Sequence, residues 1–380
     1  MIILTKKDVT YMNQTIKQSI HNWFRHFHAN PEISWKETET TNKLAEILDA
    51  MGVSYRRFND VTGLVAEIGH GEEVIAIRAD IDALYQEVNG TLQANHSCGH
   101  DANMAMVLGS LAMLKDEPLT TRIRFIFQPA EEKGNGSNAM IARGAIDDVS
   151  YLFGVHLRPV EELAFGQVSP AIHHGAGVFL DGKIQGVDAH GARPHQGNNA
   201  IDVLFSIQQL LKNIYISPFE SYSAKLTKIQ TGGENLNIIP GAASFAIDLR
   251  AQKNEVLYQI QTEIDEKINH IATLHDVEIT TEWIDMTPGA EVSEEAAAIA
   301  EAAIREVVGD AKTMPAVVTS GSDDFHFYTI HDPSLKATMI GVGADLTPGL
   351  HHPDMYFNHE ALEIGSNVLV KTLLKCASEN

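Results

Sequence analysis

Four stretches of this chain carry apolar residues almost without alternation: Val74–Ile77, Ile123–Phe127, Tyr151–Val155 and Ala337–Val342. A strand with one face in water alternates apolar and polar side chains, so runs of this kind suit strands buried on both faces. Helical spacing separates them, as over Ala102–Lys115, and the order strand, helix, strand predicts a mostly parallel sheet covered by helices. The predicted fold class is therefore α/β. Residues 9–30 open the chain as an amphipathic helix, with Ile16, Ile20, Trp23, Phe24 and Phe27 on one side and Pro31 closing it.

Between Val178 and Asp285 the texture changes to alternating strands, over Phe179–Gln185, Leu226–Ile229, Ser244–Leu249 and Val277–Glu282, with helices over Ala200–Ile214 and Asn254–Leu274. The order β-α-β-β-α-β is the split arrangement of a small two-layer α+β domain. After the Thr287-Pro288-Gly289 turn, another helix leads to the last strand of the first domain. The expected organisation is a discontinuous domain over 1–177 and 286–380 with a second domain, 178–285, inserted in it. A chain of 380 residues has room for two such cores at roughly 150 residues each.

The charge balance narrows the partners. With 28 Lys+Arg against 50 Asp+Glu the formal net charge is −22, a field that repels phosphate backbones and anionic headgroups, so neither nucleic acid nor membrane is an expected partner. Cys98 and Cys376 are the two cysteines, too few for a disulfide framework. The opening residues lack a signal-peptide core, and no uncharged apolar run approaches the ~20 residues of a membrane span. A cytoplasmic protein is expected.

In open parallel sheets, ligands bind beyond the carboxyl ends of the strands. Asp80 and Asp82 follow the first apolar run, Pro129-Ala130-Glu131-Glu132 the second and His156 the third; His351-His352-Pro353 comes a short loop after the fourth. Ser97-Cys98-Gly99-His100-Asp101 precedes the helix beginning near Ala102, with Asp101 as its expected N-cap. A thiol at a helix N-terminus is biased toward thiolate, and a bound dication removes its proton outright, so Cys98 and His100 form a natural ligand pair. Pro129 ends its strand, which lets both glutamates reach one cavity; one can bind metal while the other manages a proton. Three histidines, a thiolate and a carboxylate are enough for two divalent ions sharing a bridge, with Asp80 and Asp82 behind them orienting the imidazoles. Alone, each has a bland reading: a buried thiol, a solvated acidic turn, a core histidine.

The pieces Arg78-Ala79-Asp80-Ile81-Asp82-Ala83-Leu84, Cys98-Gly99-His100-Asp101, Phe127-Gln128-Pro129-Ala130-Glu131-Glu132, Gly154-Val155-His156, Asn237-Ile238-Ile239-Pro240, Asp324-Phe325 and His351-His352-Pro353 give the chain a family likeness. It resembles the metallopeptidase family of aminoacylases and glutamate carboxypeptidases, and within it the amidohydrolases related to hippurate hydrolase and the plant hydrolases of auxin conjugates. The resemblance implies two divalent ions, manganese or zinc, held by Cys98, His100, Glu132, His156 and His351, with Glu131 as general base. It implies that the inserted domain is a lid that mediates homodimerisation, with His190 polarising the substrate carbonyl and Asn237 and Arg250 meeting the substrate. Two positions depart from the family pattern: Asn103 stands where a histidine is common, and Ser322-Asp323-Asp324 shortens the first acid of a Glu-Asp pair. Arg250 suits a carboxylate clamp because its planar fork offers two parallel charge-assisted bonds; its alternative is a surface pair with Asp248.

The expected function is metal-dependent hydrolysis of the amide of an N-acyl amino acid or a related small conjugate. The alternatives are a dipeptidase or carboxypeptidase on the same scaffold, and a metal-binding protein without catalysis.

Overall fold

The computed structural model describes residues 12–379. Their contacts divide into two compact units, one made of 12–172, Glu291–Val318 and 324–379, the other of His173–Ala290 with Thr319–Asp323. The main part of the second unit runs a few residues beyond 178–285, where the strand expected from Phe179 begins at Ala176 and the one expected to end at Glu282 runs on to Thr287, and Thr319–Asp323, expected in the first domain, groups with it as well.

The first unit is built on a seven-stranded sheet. At its centre lie Arg122–Gln128, Val74–Asp80, Val149–Pro159 and Lys336–Leu346, in that order and parallel to one another. All seven residues of Val74–Asp80 are buried, which is why its sequence shows no alternation. Leu64–Ile68 and Tyr55–Arg57 extend one edge antiparallel, and Val168–Ser169 pairs antiparallel with Lys336–Leu346 at the other.

Helix His100–Leu114 is buried on almost every side, as a helix covered by both sheet and helices must be. Gly109 lets its neighbours approach: a Cβ there would meet Ser366 Oγ at 2.5 Å and Ile20 Cδ1 at 2.7 Å. The opening helix runs Gln14–Ala29, capped by the side chain of Asn13 accepting from the Ile16 amide, with Ile20, Phe24 and Phe27 buried. Residues 9–11 of the expected helix lie outside the described residues.

The second unit has a four-stranded antiparallel sheet in the order Tyr222–Thr231, Ala242–Ala251, Ala176–Gln185, Glu278–Thr287. Helices Ala200–Lys212 and Asn254–His275 supply Val203, Ile207, Leu257, Ile260 and Ile264 to a core shared with Leu180, Phe245, Ile247 and Leu249. Along Ala242–Ala251 every second residue is buried, the pattern of a sheet with one face packed. Among the described residues no helix is long and apolar enough to cross a membrane.

Candidate metal centre

The carboxyl ends of the central strands converge with the start of helix His100–Leu114. That helix is capped by Gly99 in the left-handed region, φ 88°, and Asp101 sits inside its first turn. The expected N-cap role of Asp101 is thus corrected: Gly99 makes the turn that a side chain with a Cβ rarely makes, and its carbonyl accepts from the Ala102 and Asn103 amides. Asp101 is fully buried and instead bonds His28 Nδ1 at 2.7 Å.

Two imidazoles are fixed from behind in the same way. His100 Nδ1 lies 2.9 Å from the Asp82 carbonyl and 3.3 Å from its carboxylate; His156 Nδ1 lies 2.7 Å from the Leu157 carbonyl. A carbonyl can only accept, so both rings carry hydrogen on Nδ1 and present Nε2 as a lone-pair donor. His156 Nε2 is 3.6 Å from Cys98 Sγ. His100 Nε2 is buried with no hydrogen-bond partner, and the nearest acids are Asp80 at 3.7 Å, Glu131 at 3.8 Å and Glu132 at 3.9 Å. His351 Nε2 is 3.4 Å from Glu132 Oε1. His352 is exposed, its Nδ1 accepting from the Asp354 amide.

Glu131 and Glu132 occupy a single 3₁₀ turn entered through Ala130 at φ 51°. Three successive amides there are captured by two buried carboxylates. Glu37 Oε1 accepts from Ala130 N at 2.9 Å, and Asp82 accepts from Glu131 N and Glu132 N at 3.1 Å each. Thr62 and Ser34 hydroxyls donate to Glu37 and Asp82 in turn. Glu37, Thr62 and Ser34 carry no signal in the sequence, since each acts through a contact with a residue distant along the chain.

Asp80 differs from the expectation that it orients an imidazole. Its hydrogen bonds go to Arg78 Nη1 at 2.6 Å and Asn103 Nδ2 at 2.8 Å. Arg78, fully buried, also donates to Gln128 Oε1 at 2.9 Å and Asp324 Oδ1 at 2.8 Å, and Gln128 donates to Asp324 at 2.8 Å. Asn103 is therefore part of the support beneath the strand ends. Of the two acids expected behind the ligands, Asp82 alone bonds a ligand ring.

Donor atoms of Cys98, His100 and His156 all lie within 4.8 Å of one another, as do those of Cys98, Glu132 and His351, and those of His100, Glu131 and Glu132. Two of these triads share the thiol. Glu132 Oε1 is, like His100 Nε2, buried without a hydrogen bond, a costly state that a cation relieves. Burial pushes the Cys98 thiol well above its ordinary value, and the Glu132 charge adds to it. Burial pulls His100 down, but the Asp80 charge and the contact with Asp82 override it and raise the ring's proton affinity above normal. For Asp82 burial opposes the charged form, yet bonds to His100, Ser34 and the Glu132 amide prevail and keep it low. An acid-rich pocket with soft and hard donors fits a pair of divalent cations, whose charge displaces the thiol proton.

The remaining candidates belong to the second unit. His190 is exposed on the short strand Ala189–His190, which pairs with Ile238–Ile239, and the Gly191 amide donates to the Asn237 carbonyl at 2.7 Å. His190 Nδ1 accepts from Ala192 N at 3.0 Å. Arg250 lies on the central strand Ala242–Ala251; its Nε donates to Asp248 at 2.7 Å, and its guanidinium sits 5.5 Å over the Phe179 ring. The surface pair weighed as the alternative for Arg250 is thus formed.

Residues 76–375 match the profile of Peptidase family M20/M25/M40. Among curated relatives, "IAA-amino acid hydrolase ILR1-like 4" of Arabidopsis thaliana is 32% identical over 278 residues, 69% of this chain and 62% of that protein. "N-acetyl-L-cysteine deacetylase" of Bacillus subtilis (strain 168) is 29% identical over 402 residues, spanning 100% of this chain and 93% of that one. The crystal structure of the Bacillus subtilis YXEP protein, described as a dinuclear metal binding peptidase, superposes with a TM-score of 0.83 at 24% identity, covering 96% of this chain and 99% of the other. At that identity the superposition speaks for the fold.

Proposed function

This chain belongs to Peptidase family M20/M25/M40, and from that premise, as a metal-dependent amidohydrolase with two divalent ions, we propose that it cleaves the amide of N-acyl amino acids or related small conjugates. The carrying observation is the pair of donor triads that share Cys98, lined by the unsatisfied His100 Nε2 and Glu132 Oε1. In this reading Cys98, His100, Glu132, His156 and His351 hold the ions. Thiolate ligation favours zinc, while the imidazoles and Glu132 tolerate manganese.

Bound ions of this kind supply Lewis acidity toward the amide carbonyl and the attacking water. Glu131 accepts the water's proton and later delivers it to the leaving nitrogen. The Glu37 and Asp82 carboxylates hold the turn that carries it, so its position is set before substrate arrives. Asp82 keeps His100 in the tautomer that presents Nε2. In the second unit, proposed as a lid and dimerisation element, His190 on its short strand and Asn237 in the turn just before the partner strand Ile238–Ile239 act as donors for the substrate, and Arg250, braced by Asp248, clamps its carboxylate. Relatives that act on an auxin–amino acid conjugate and on an N-acetyl amino acid, as their names state, support this substrate class.

The test is a panel of acetyl, benzoyl and peptidyl amino acids assayed with Mn²⁺, Zn²⁺ and Co²⁺ in turn. Turnover of the N-acyl compounds is expected. A preference for free dipeptides would favour the peptidase reading, and inactivity with every fully loaded metal would favour a binding protein. Mixing a His190→Ala chain with a Glu131→Ala chain tests whether His190 acts across a dimer, since only then is activity restored.

A further inference from the structure

We propose that Gln86 is a positioning residue that sets His351 against Cys98 and thereby tunes the affinity of the ion these two share with Glu132. The proposal rests on the metal-centre reading above.

Gln86 lies on the strand Leu84–Val88, which forms a hairpin with Thr91–Asn95. Its side-chain amide joins two remote parts of the chain. Nε2 donates to the His351 carbonyl at 3.0 Å, and Oε1 accepts from Ser97 Oγ at 2.7 Å and Asn95 Nδ2 at 2.9 Å. Asn95 Nδ2 also donates to the Pro353 carbonyl at 3.0 Å, and the His351 amide donates to the Ser97 carbonyl at 2.7 Å. His351 is therefore held through both its backbone N–H and its carbonyl to the segment that precedes Cys98.

That grip answers a need. His351 stands at φ 66°, a region a histidine seldom adopts unless its surroundings impose it. Its side chain is 55% exposed. Among the described residues, no carbonyl bonds its Nδ1 as the Asp82 and Leu157 carbonyls bond those of His100 and His156. The direction of its ring thus follows its backbone, and Gln86 is the side chain that bonds the His351 carbonyl.

Metal-free full-length protein titrated with Mn²⁺ in equilibrium dialysis tests this, with Gln86→Ala and Gln86→Glu compared to the parent. Gln86→Glu keeps an acceptor for Ser97 and Asn95 but replaces the donor to His351 with an acceptor oxygen and adds a negative charge, while Gln86→Ala removes the donor without adding charge. The expected result is that both variants melt with the parent when metal-free, and that one of two Mn²⁺ sites weakens about 10-fold while the other is unchanged, as loss of a group behind a ligand does. Two sites as tight as the parent's in Gln86→Glu would overturn the proposal. So would equal weakening of both sites with a lowered metal-free melting point, which marks a merely structural residue. A parent that takes up no Mn²⁺ would overturn the metal-centre reading and this proposal with it.

Discussion

Around Cys98 several groups are braced by groups remote in sequence: His100 by Asp82, Asp82 by Ser34 and two amides, Asp80 by Arg78 and Asn103. The second unit's candidates are supported locally. His190 is bonded by an amide two residues away, and Arg250 by a carboxylate two residues away. The difference separates a centre whose candidate ligands are braced from remote parts of the chain from groups, proposed to meet the substrate, whose support comes from neighbouring residues. Changes in the first region should cost both stability and turnover; changes in the second should cost turnover alone.

The largest expected effect is at Arg78. Arg78→Met leaves Asp80 and Asp324 buried without their counter-charge, and urea unfolding should show a loss of about 3–5 kcal/mol. Parent-like stability would mean that the support beneath the strand ends is dispensable. Asp82→Asn comes next, because an amide cannot accept from both the Glu131 and Glu132 amides and the Ser34 hydroxyl. Stability should fall by about 1–3 kcal/mol, with turnover falling too; an active enzyme of lowered stability would uncouple the two. In the second unit, His190→Ala should change stability by less than about 0.5 kcal/mol while turnover drops ~10²–10³-fold. A large loss of stability there would erase the contrast between the regions.

The smallest effect concerns pH. The hydrogen bond to buried Asp101 raises the His28 ring above its ordinary value, against a smaller lowering by burial. A raised histidine stabilises the fold fully below its ordinary pKa of about 6.5 and loses that contribution as pH rises through the higher folded value. The stability difference between the parent and His28→Gln should therefore be largest in mild acid and shrink in mild alkali. A constant difference across that range would remove the ion pair from the account. His28 is half-exposed, so the change should be modest.

Much of this was legible in the sequence because two rules act on contiguous residues. Burial on both faces marks Val74–Asp80 and its parallel neighbours, and ligands gather beyond the ends of such strands, which brings Asp82, Glu131, Glu132 and His156 into view. The β-α-β-β-α-β order of the second unit is equally local. What stayed hidden is held by long-range backbone contacts. Glu37 reaches Ala130, Gln86 reaches His351, and no spacing announces either. Asp101 was misread because an acid before an apolar helix has the look of an N-cap, whereas the positive φ of Gly99 shifts the cap two residues earlier. Asp80 was misread because position alone gave it the same role as Asp82; the buried Arg78 claims it instead.

The central claim is that the residues around Cys98 hold two ions while Glu131 handles the proton without being needed to bind them. Metal content and turnover measured on the same preparation of Glu131→Ala test it most directly. Two metal equivalents per chain, with turnover down ~10²–10⁴-fold, is the expected result. Turnover equal to the parent's, or a loss of metal in step with activity, would contradict it.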